Sequence, residues 1–195
     1  MAIRNLMELK ALLPRGGRLM GLDVGETTIG LAVSDPDLRV ASPVGTIRRT
    51  KFTHDAQDLA RAMRDRSVKG LVIGWPVNMD GTEGPRCDSV RQFAKNLLKA
   101  PQLFGGQEVE IAFWDERLST SAVERMMIGW DMTRKRRDEV VDRMAAAYIL
   151  QGALDHLIHA AQAGGGPAHS TLGFDDDHGG GDGDAGSDGG GGGGE

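Results

Sequence analysis

RLMGLDVGETTIGLAVS, residues 18 to 34, decides how the chain folds. Two apolar runs of strand length, Arg18 to Val24 and Thr28 to Ser34, flank Gly25-Glu26-Thr27, and this pattern reads as a β-hairpin. One residue conflicts with its surroundings. Asp23 stands among Leu19, Met20, Leu22 and Val24, where an uncompensated carboxylate is costly to desolvate. Two explanations fit. A divalent cation at the sheet edge would accept such a hard oxygen ligand, or a turn-forming Asp would bond local backbone amides.

The pattern continues outward from the hairpin. Val44 to Arg48 reads as a third strand, and Thr53 to Arg66 has helical spacing, with Ala56, Leu59, Ala60 and Met63 on one face. Gly70 to Trp75 is a continuous apolar run, expected of a strand covered on both faces. Pro85 to Leu98 predicts a helix and Val109 to Trp114 a strand. Ser121 with Glu124 forms a capping box for a helix through Met127, and a final helix runs from about Glu139 to Ala161. Three antiparallel strands followed by alternating helices and strands predict an α/β fold: a ribonuclease H-like mixed five-stranded sheet flanked by helices.

Composition divides the chain into three parts. Of the last 32 residues, 15 are Gly and seven are Asp or Glu, with no Lys or Arg, so 164–195 reads as a disordered acidic tail. The rest holds 21 acidic against 23 basic residues, a net +2 within an overall −5. Residues 1–17 read as an N-terminal extension with a short helix, and 18–163 as the ribonuclease H-like domain. A body of about 160 residues supports one core. That is too small for the two lobes of an actin-like ATPase, which the Asp-Val-Gly-Glu-Thr turn would otherwise suggest. Nothing approaches a run of roughly 18 apolar residues, and Cys87 is the only cysteine. A soluble, cytoplasmic protein with no membrane partner is expected.

Two further acidic positions accompany Asp23. Asp142 shares a helical face with Ala145, Ala146, Ile149, Ala153, Leu154 and Leu157, so it points toward the core with the apolar stripe. A dipole-capping Asp would need no inward position. The pair Asp115-Glu116 directly follows the strand ending in Trp114, at the carboxyl end of a strand, where ligands of open α/β sheets gather. Arg117 offers either acid a salt bridge instead. Such a cluster repels itself unless cations occupy it, and divalent ions shared by carboxylates can drive phosphodiester hydrolysis without a histidine base. Arg134, Lys135, Arg136 and Arg137 precede Asp142 and, with Arg117, are candidates for phosphate contacts; Arg48, Arg49 and Lys51 add charge elsewhere. Trp75 and Trp130, at predicted loop positions, would either stack on unpaired bases or anchor their loops. Asn78, Asp80, Thr82 and Glu83 would line the site or build a turn.

Four ordered blocks, GLDVGETTIGLAVSD (21 to 35), VIGWPVNMDGTEG (72 to 84), FWDERLSTSAVERM (113 to 126) and VVDRMAAAYILQGALD (140 to 155), resemble the signature blocks of the YqgF/RuvX family. That family is described as pre-16S rRNA nucleases and Holliday-junction-resolvase-like proteins. The resemblance implies a ribonuclease H-like fold, a nuclease using Mg²⁺ or Mn²⁺, and processing of the 5′ end of 16S rRNA on ribosomal precursors. It makes Asp23 the first-strand acid, Glu116 or Asp115 the second and Asp142 the acid of the last helix, with Asp23, Glu116 and Asp142 as metal ligands. Branched DNA is the alternative substrate, and a non-catalytic factor in ribosome maturation or transcription the alternative role. A monomer suffices for trimming RNA, while a two-fold junction favours a homodimer. Glu26 departs from the family, which commonly carries a basic residue after that glycine, and so does Arg143, where Ser is frequent.

The acidic tail is expected to compete with RNA for the basic surface. Deleting 164–195 should therefore raise RNA affinity at low salt, and an unchanged affinity in a filter-binding titration would discard that role.

Overall fold

A computed structural model describes residues 3–106, 109–118 and 134–163, with side chains left out at 118 and 134–142. Its frame is one six-stranded sheet. In chain order the strands are β1 (Ile3–Arg4), β2 (Arg18–Val24), β3 (Thr28–Ser34), β4 (Ala41–Arg48), β5 (Val68–Trp75) and β6 (Glu110–Asp115). The helices are α1 (Leu6–Leu12), α2 (Phe52–Asp65), α3 (Pro85–Leu98) and α4 (Arg134–Gln162). Spatial order across the sheet is β1-β6-β5-β2-β3-β4. The β2–β3 and β3–β4 pairs are antiparallel, and β2–β5, β5–β6 and β1–β6 are parallel.

The expected five strands are six. Ile3 and Arg4 pair with Ile111 and Ala112 at the edge beyond β6, a two-residue strand too short to carry a period of its own. The Arg4 guanidinium bonds Glu110 at 3.0 Å across that pair. Leu6 and Leu9 of α1 are then buried against the sheet. A second difference concerns the last helix, which begins at Arg134 rather than near Glu139, so the basic run lies on helical backbone. The capping box at Ser121, Trp130 and the 164–195 tail lie outside the described residues.

Strand alternation sorts side chains to two cores. Met20, Leu22, Leu71, Ile73, Trp75 and Ile111 face α2 and α3, packing on Leu59, Met63, Val90, Phe93 and Leu97. Leu19, Val72, Ala112 and Trp114 face the other way, against Leu9, Ala146, Ile149, Leu150, Ala153, Leu154 and Leu157. The inward stripe expected of the last helix is thus present from Ala146 onward, widened by Leu150. Small residues on this second face let α4 come close. A Cβ on Gly21 would lie 2.6 Å from the Leu150 Cβ and 2.7 Å from the Ala146 carbonyl oxygen. Only a residue without a side chain fits there, because one obstacle is backbone. Gln151 ties the same helix to the β3–β4 loop, accepting from the Ala41 amide at 2.8 Å and donating to the Arg39 carbonyl at 2.9 Å.

Gly21→Ala should therefore lower unfolding stability by about 1–3 kcal/mol, the usual cost of overpacking. Urea denaturation measures it; a neutral result would mean that α4 can retreat from β2 at no cost.

Candidate active site

The alternation that buries Leu19 beneath α1 and α4, and places Gly21 under α4, puts Asp23 on that same face two residues further on, at the end of β2. The neighbouring strands decide what it meets. Leu22 pairs with Ile73, so the next residues, Asp23 and Gly74, stand side by side, and Gly74 pairs with Trp114. Directly after β6 the chain enters a 3₁₀ turn, Glu116–Leu118. Its first residue folds back over the sheet. A Cβ on Gly74 would lie 2.5 Å from a Glu116 carboxylate oxygen and 2.5 Å from the Ile149 Cδ1. The missing side chain of Gly74 is the space that Glu116 fills.

The electrostatics follow from this placement. Burial is the main reason the Glu116 carboxyl is pushed up to about 7, and the negative charge of Asp23 adds to the rise, as does Asp115. Arg86, at the start of α3, pulls the other way. Two carboxylates, one from the end of β2 and one from the turn after β6, are thus held in a mutually repulsive pair that a proton or a cation would relieve.

Asp115 has a different fate. Its carboxylate accepts from the Arg117 guanidinium at 2.6 and 3.1 Å and from the Arg117 backbone amide at 3.0 Å. This is the salt bridge foreseen as the alternative use of the pair. It engages both Asp115 and Arg117 and turns the following chain, so that Glu116 rather than Asp115 lies beside Asp23. The loop between β5 and α3 packs near Arg117, whose Nη1 would be 3.6 Å from a Cβ on Gly81. Within that loop Asp80 accepts from the Thr82 amide and hydroxyl, and Asn78 donates to the Thr82 hydroxyl. Glu83 pairs with Arg91. These four polar residues build and brace the turn.

Trp75 is fully buried, 4.7 Å from the Phe113 ring with the Arg91 guanidinium 5.0 Å away. It anchors the end of β5, the second of the two uses expected for it: an indole enclosed on all sides has no face for a base. The backbone of Asp142 lies on α4, one turn before Ala146; its side chain and those of Arg134, Lys135, Arg136 and Arg137 lie outside the described residues. Among the described residues no three His, Cys, Asp or Glu side chains gather as a metal site. No described helix is long and apolar enough to cross a membrane.

Gly74 and Arg86 escaped the sequence reading. A glycine inside an apolar strand marks a close approach, and that signal was available in GLVIGW. Arg86, exposed on the first turn of α3, carried none.

The family model described as "RuvX: Holliday junction resolvase" matches residues 17–156. The chain belongs to the RuvX family. A relative from Rhodospirillum centenum, named "Putative pre-16S rRNA nuclease", is 81% identical over 166 residues, covering 85% of this chain and 88% of the relative. A second with the same name, from Phenylobacterium zucineum, is 58% identical over 158 residues, covering 80% and 98%. Among solved structures, RuvC of T. thermophilus in complex with a Holliday junction substrate aligns over 76% of this chain and 96% of that one, at 14% identity and a TM-score of 0.43. The yeast mitochondrial Holliday junction resolvase Ydc2 aligns over 80% and 86%, at 8% identity and a TM-score of 0.45.

The raised carboxyl of this RuvX protein has a thermodynamic signature. Its folded value of about 7 lies above the unfolded value, which is about 4.3 for Glu. Glu116 therefore favours the folded state fully below the unfolded value, and that contribution is lost as pH rises toward and through 7. In metal-free buffer, Glu116→Gln should flatten the fall in stability between these values and leave the variant more stable than wild type at pH 8. Chemical denaturation at pH 4.5 and pH 8 measures the difference; parallel pH profiles for the two proteins would refute the assignment.

Proposed function

We propose that this RuvX protein is a metal-dependent ribonuclease of the cytoplasm that cleaves phosphodiester bonds in the 5′ region of pre-16S rRNA on ribosomal precursors. The observation that carries the reading is the closeness of Asp23 to Glu116, which lies over Gly74. Folding forces two carboxylates together at the carboxyl ends of parallel strands and spares a strand position for one of them. The names of the two relatives support pre-16S rRNA as the substrate.

The donor set fits a hard divalent cation, Mg²⁺ or Mn²⁺: carboxylate oxygens only, held in a glycine-floored cradle whose unrelieved state is repulsive. Asp23 and Glu116 would hold it, and Asp142 would complete the set from α4. When bound there, the ion supplies positive charge to a phosphate and acidifies water. Arg86 acts on the same site from α3 and offers a phosphate its charge. The Asp115–Arg117 bridge holds the end of β6 in the bend that delivers Glu116. On α4 the run Arg134 to Arg137 sits two turns before Asp142, in position to follow the substrate backbone away from the site. The family's description as Holliday junction resolvase favours branched DNA as the second reading.

Cleavage of a 5′-extended 16S rRNA precursor, beside a four-way DNA junction, tests both. Wild type with Mn²⁺ should cut the RNA, chelation should abolish the cut, and Asp23→Asn should reduce the rate at least about a hundredfold, as expected when catalysis depends on charge stabilisation. Cleavage of the junction alone would replace the RNA reading. Binding of either substrate without cleavage under any metal would make the protein a non-catalytic factor.

A further inference from the structure

The sheet edge that carries Asp23 also borders a polar groove of about 480 Å³, formed between the β2–β3 turn, the segment after β4 and one face of α3. Glu26, Arg49, Ser89, Gln92 and Asn96 line it, with Phe52 and Phe93 beneath. We propose that this groove seats the base of an unpaired nucleotide next to the scissile phosphate, so that the substrate strand crosses the sheet edge from Asp23 toward α3. The inference rests on the nuclease reading and adds to it a requirement for single-stranded substrate at that position.

Three features give the groove this chemistry. Arg49 is fixed as a flat plate: its Nη1 donates to the Gly25 carbonyl at 2.6 Å, its backbone amide donates to the Thr27 carbonyl at 2.8 Å, and its guanidinium lies 5.8 Å from the Phe93 ring centre. A guanidinium supported on one side by a ring presents the kind of surface on which unpaired bases stack. Gln92 and Asn96 are joined by one hydrogen bond, Nε2 to Oδ1 at 2.8 Å. That bond leaves a Gln92 amide oxygen and an Asn96 amide NH₂ to meet a base edge, which carries both donors and acceptors.

The acids in the groove argue for a base rather than a phosphate. Asp55 is already spent on the Thr50 amide at 2.9 Å and the Thr50 hydroxyl at 3.2 Å. Glu26 is exposed at the rim, where it would repel a phosphate and accept from an N–H of a base. The groove opens on the opposite face of the sheet from Asp23 but at the same end of β2. Gly25, which Arg49 grips, follows Asp23 by two residues, roughly 7 Å at the rise of a strand, a span that one nucleotide covers.

Two variants test this: Gln92→Ala combined with Asn96→Ala, which strips the amides, and Ser89→Trp, which fills the groove. Binding is read by anisotropy of a fluorescent single-stranded RNA of about ten nucleotides in metal-free buffer, with the same sequence as a duplex for comparison. Each variant should weaken single-strand binding about tenfold, the order of one lost base contact, and leave duplex binding nearly unchanged. In cleavage of the rRNA precursor, KM should rise far more than kcat falls. An abasic nucleotide beside the scissile phosphate should weaken wild type by a similar factor and the variants no further. Unchanged single-strand affinity, or equal losses for duplex and single strand, overturns the groove. Failure of wild type to cleave any RNA overturns the nuclease reading, while the binding arm still decides the groove by itself.

Discussion

Everything at the end of the sheet where Asp23 and Glu116 meet depends on how closely the last helix lies on the second strand. Gly21 has no room for a single carbon between itself and α4, so backbone meets backbone there, and helix and strand are locked in distance as well as direction. Along β2 the next residue on the same face is Asp23, and along α4 the previous turn carries Asp142. Close packing sets the spacing of the apolar layer beneath, and the polar residues inherit it. Gly74 repeats the device one strand away, giving its space to Glu116 and Ile149. Two absent side chains, both on the α4 face of neighbouring strands, shape the floor on which the carboxylates meet.

The main elements were legible because their signals are local. Both strands of the β2–β3 hairpin and the α3 helix begin and end where the sequence pattern puts them. Asp23 was legible for the opposite reason, as a charge that violates an apolar strand. Which of Asp115 and Glu116 lies beside Asp23 was not, because adjacent residues at a strand end share every pattern signal. It turns on a contact within the bend, the grip of Arg117 on Asp115, and on space above Gly74 that only the neighbouring strand reveals. The sixth strand was invisible because two residues cannot show alternation; its partner lies more than a hundred residues away. For Trp75 the sequence left stacking and anchoring both open. A Trp before Pro looks like the start of a loop, yet its ring lies inside the core formed by α3 and β6.

The chain commits its charge unevenly around this edge. Asp115 and Asp80 are matched two residues on, by Arg117 and Thr82, and Glu83 eight residues on, by Arg91. Asp23 and Glu116 also bring their negative charges close to each other. Local pairing spends little stability and keeps the loops in shape, whereas the opposed pair costs stability in the free protein. That arrangement is sensible only where another species can recover the cost.

The short first strand has a consequence for the order of assembly. Ile3 and Arg4 pair with β6, and Arg4 holds Glu110, so this segment finds its place only after β6, more than a hundred residues later, has been made. Until then Leu6 and Leu9 have no complete surface to cover, and β6, once formed, has one side open to any extended chain. Docking of the N-terminal segment is therefore a late, closing event. It seals the margin of the sheet beside the strand that delivers Glu116, and ties completion of that margin to synthesis of the strand it protects.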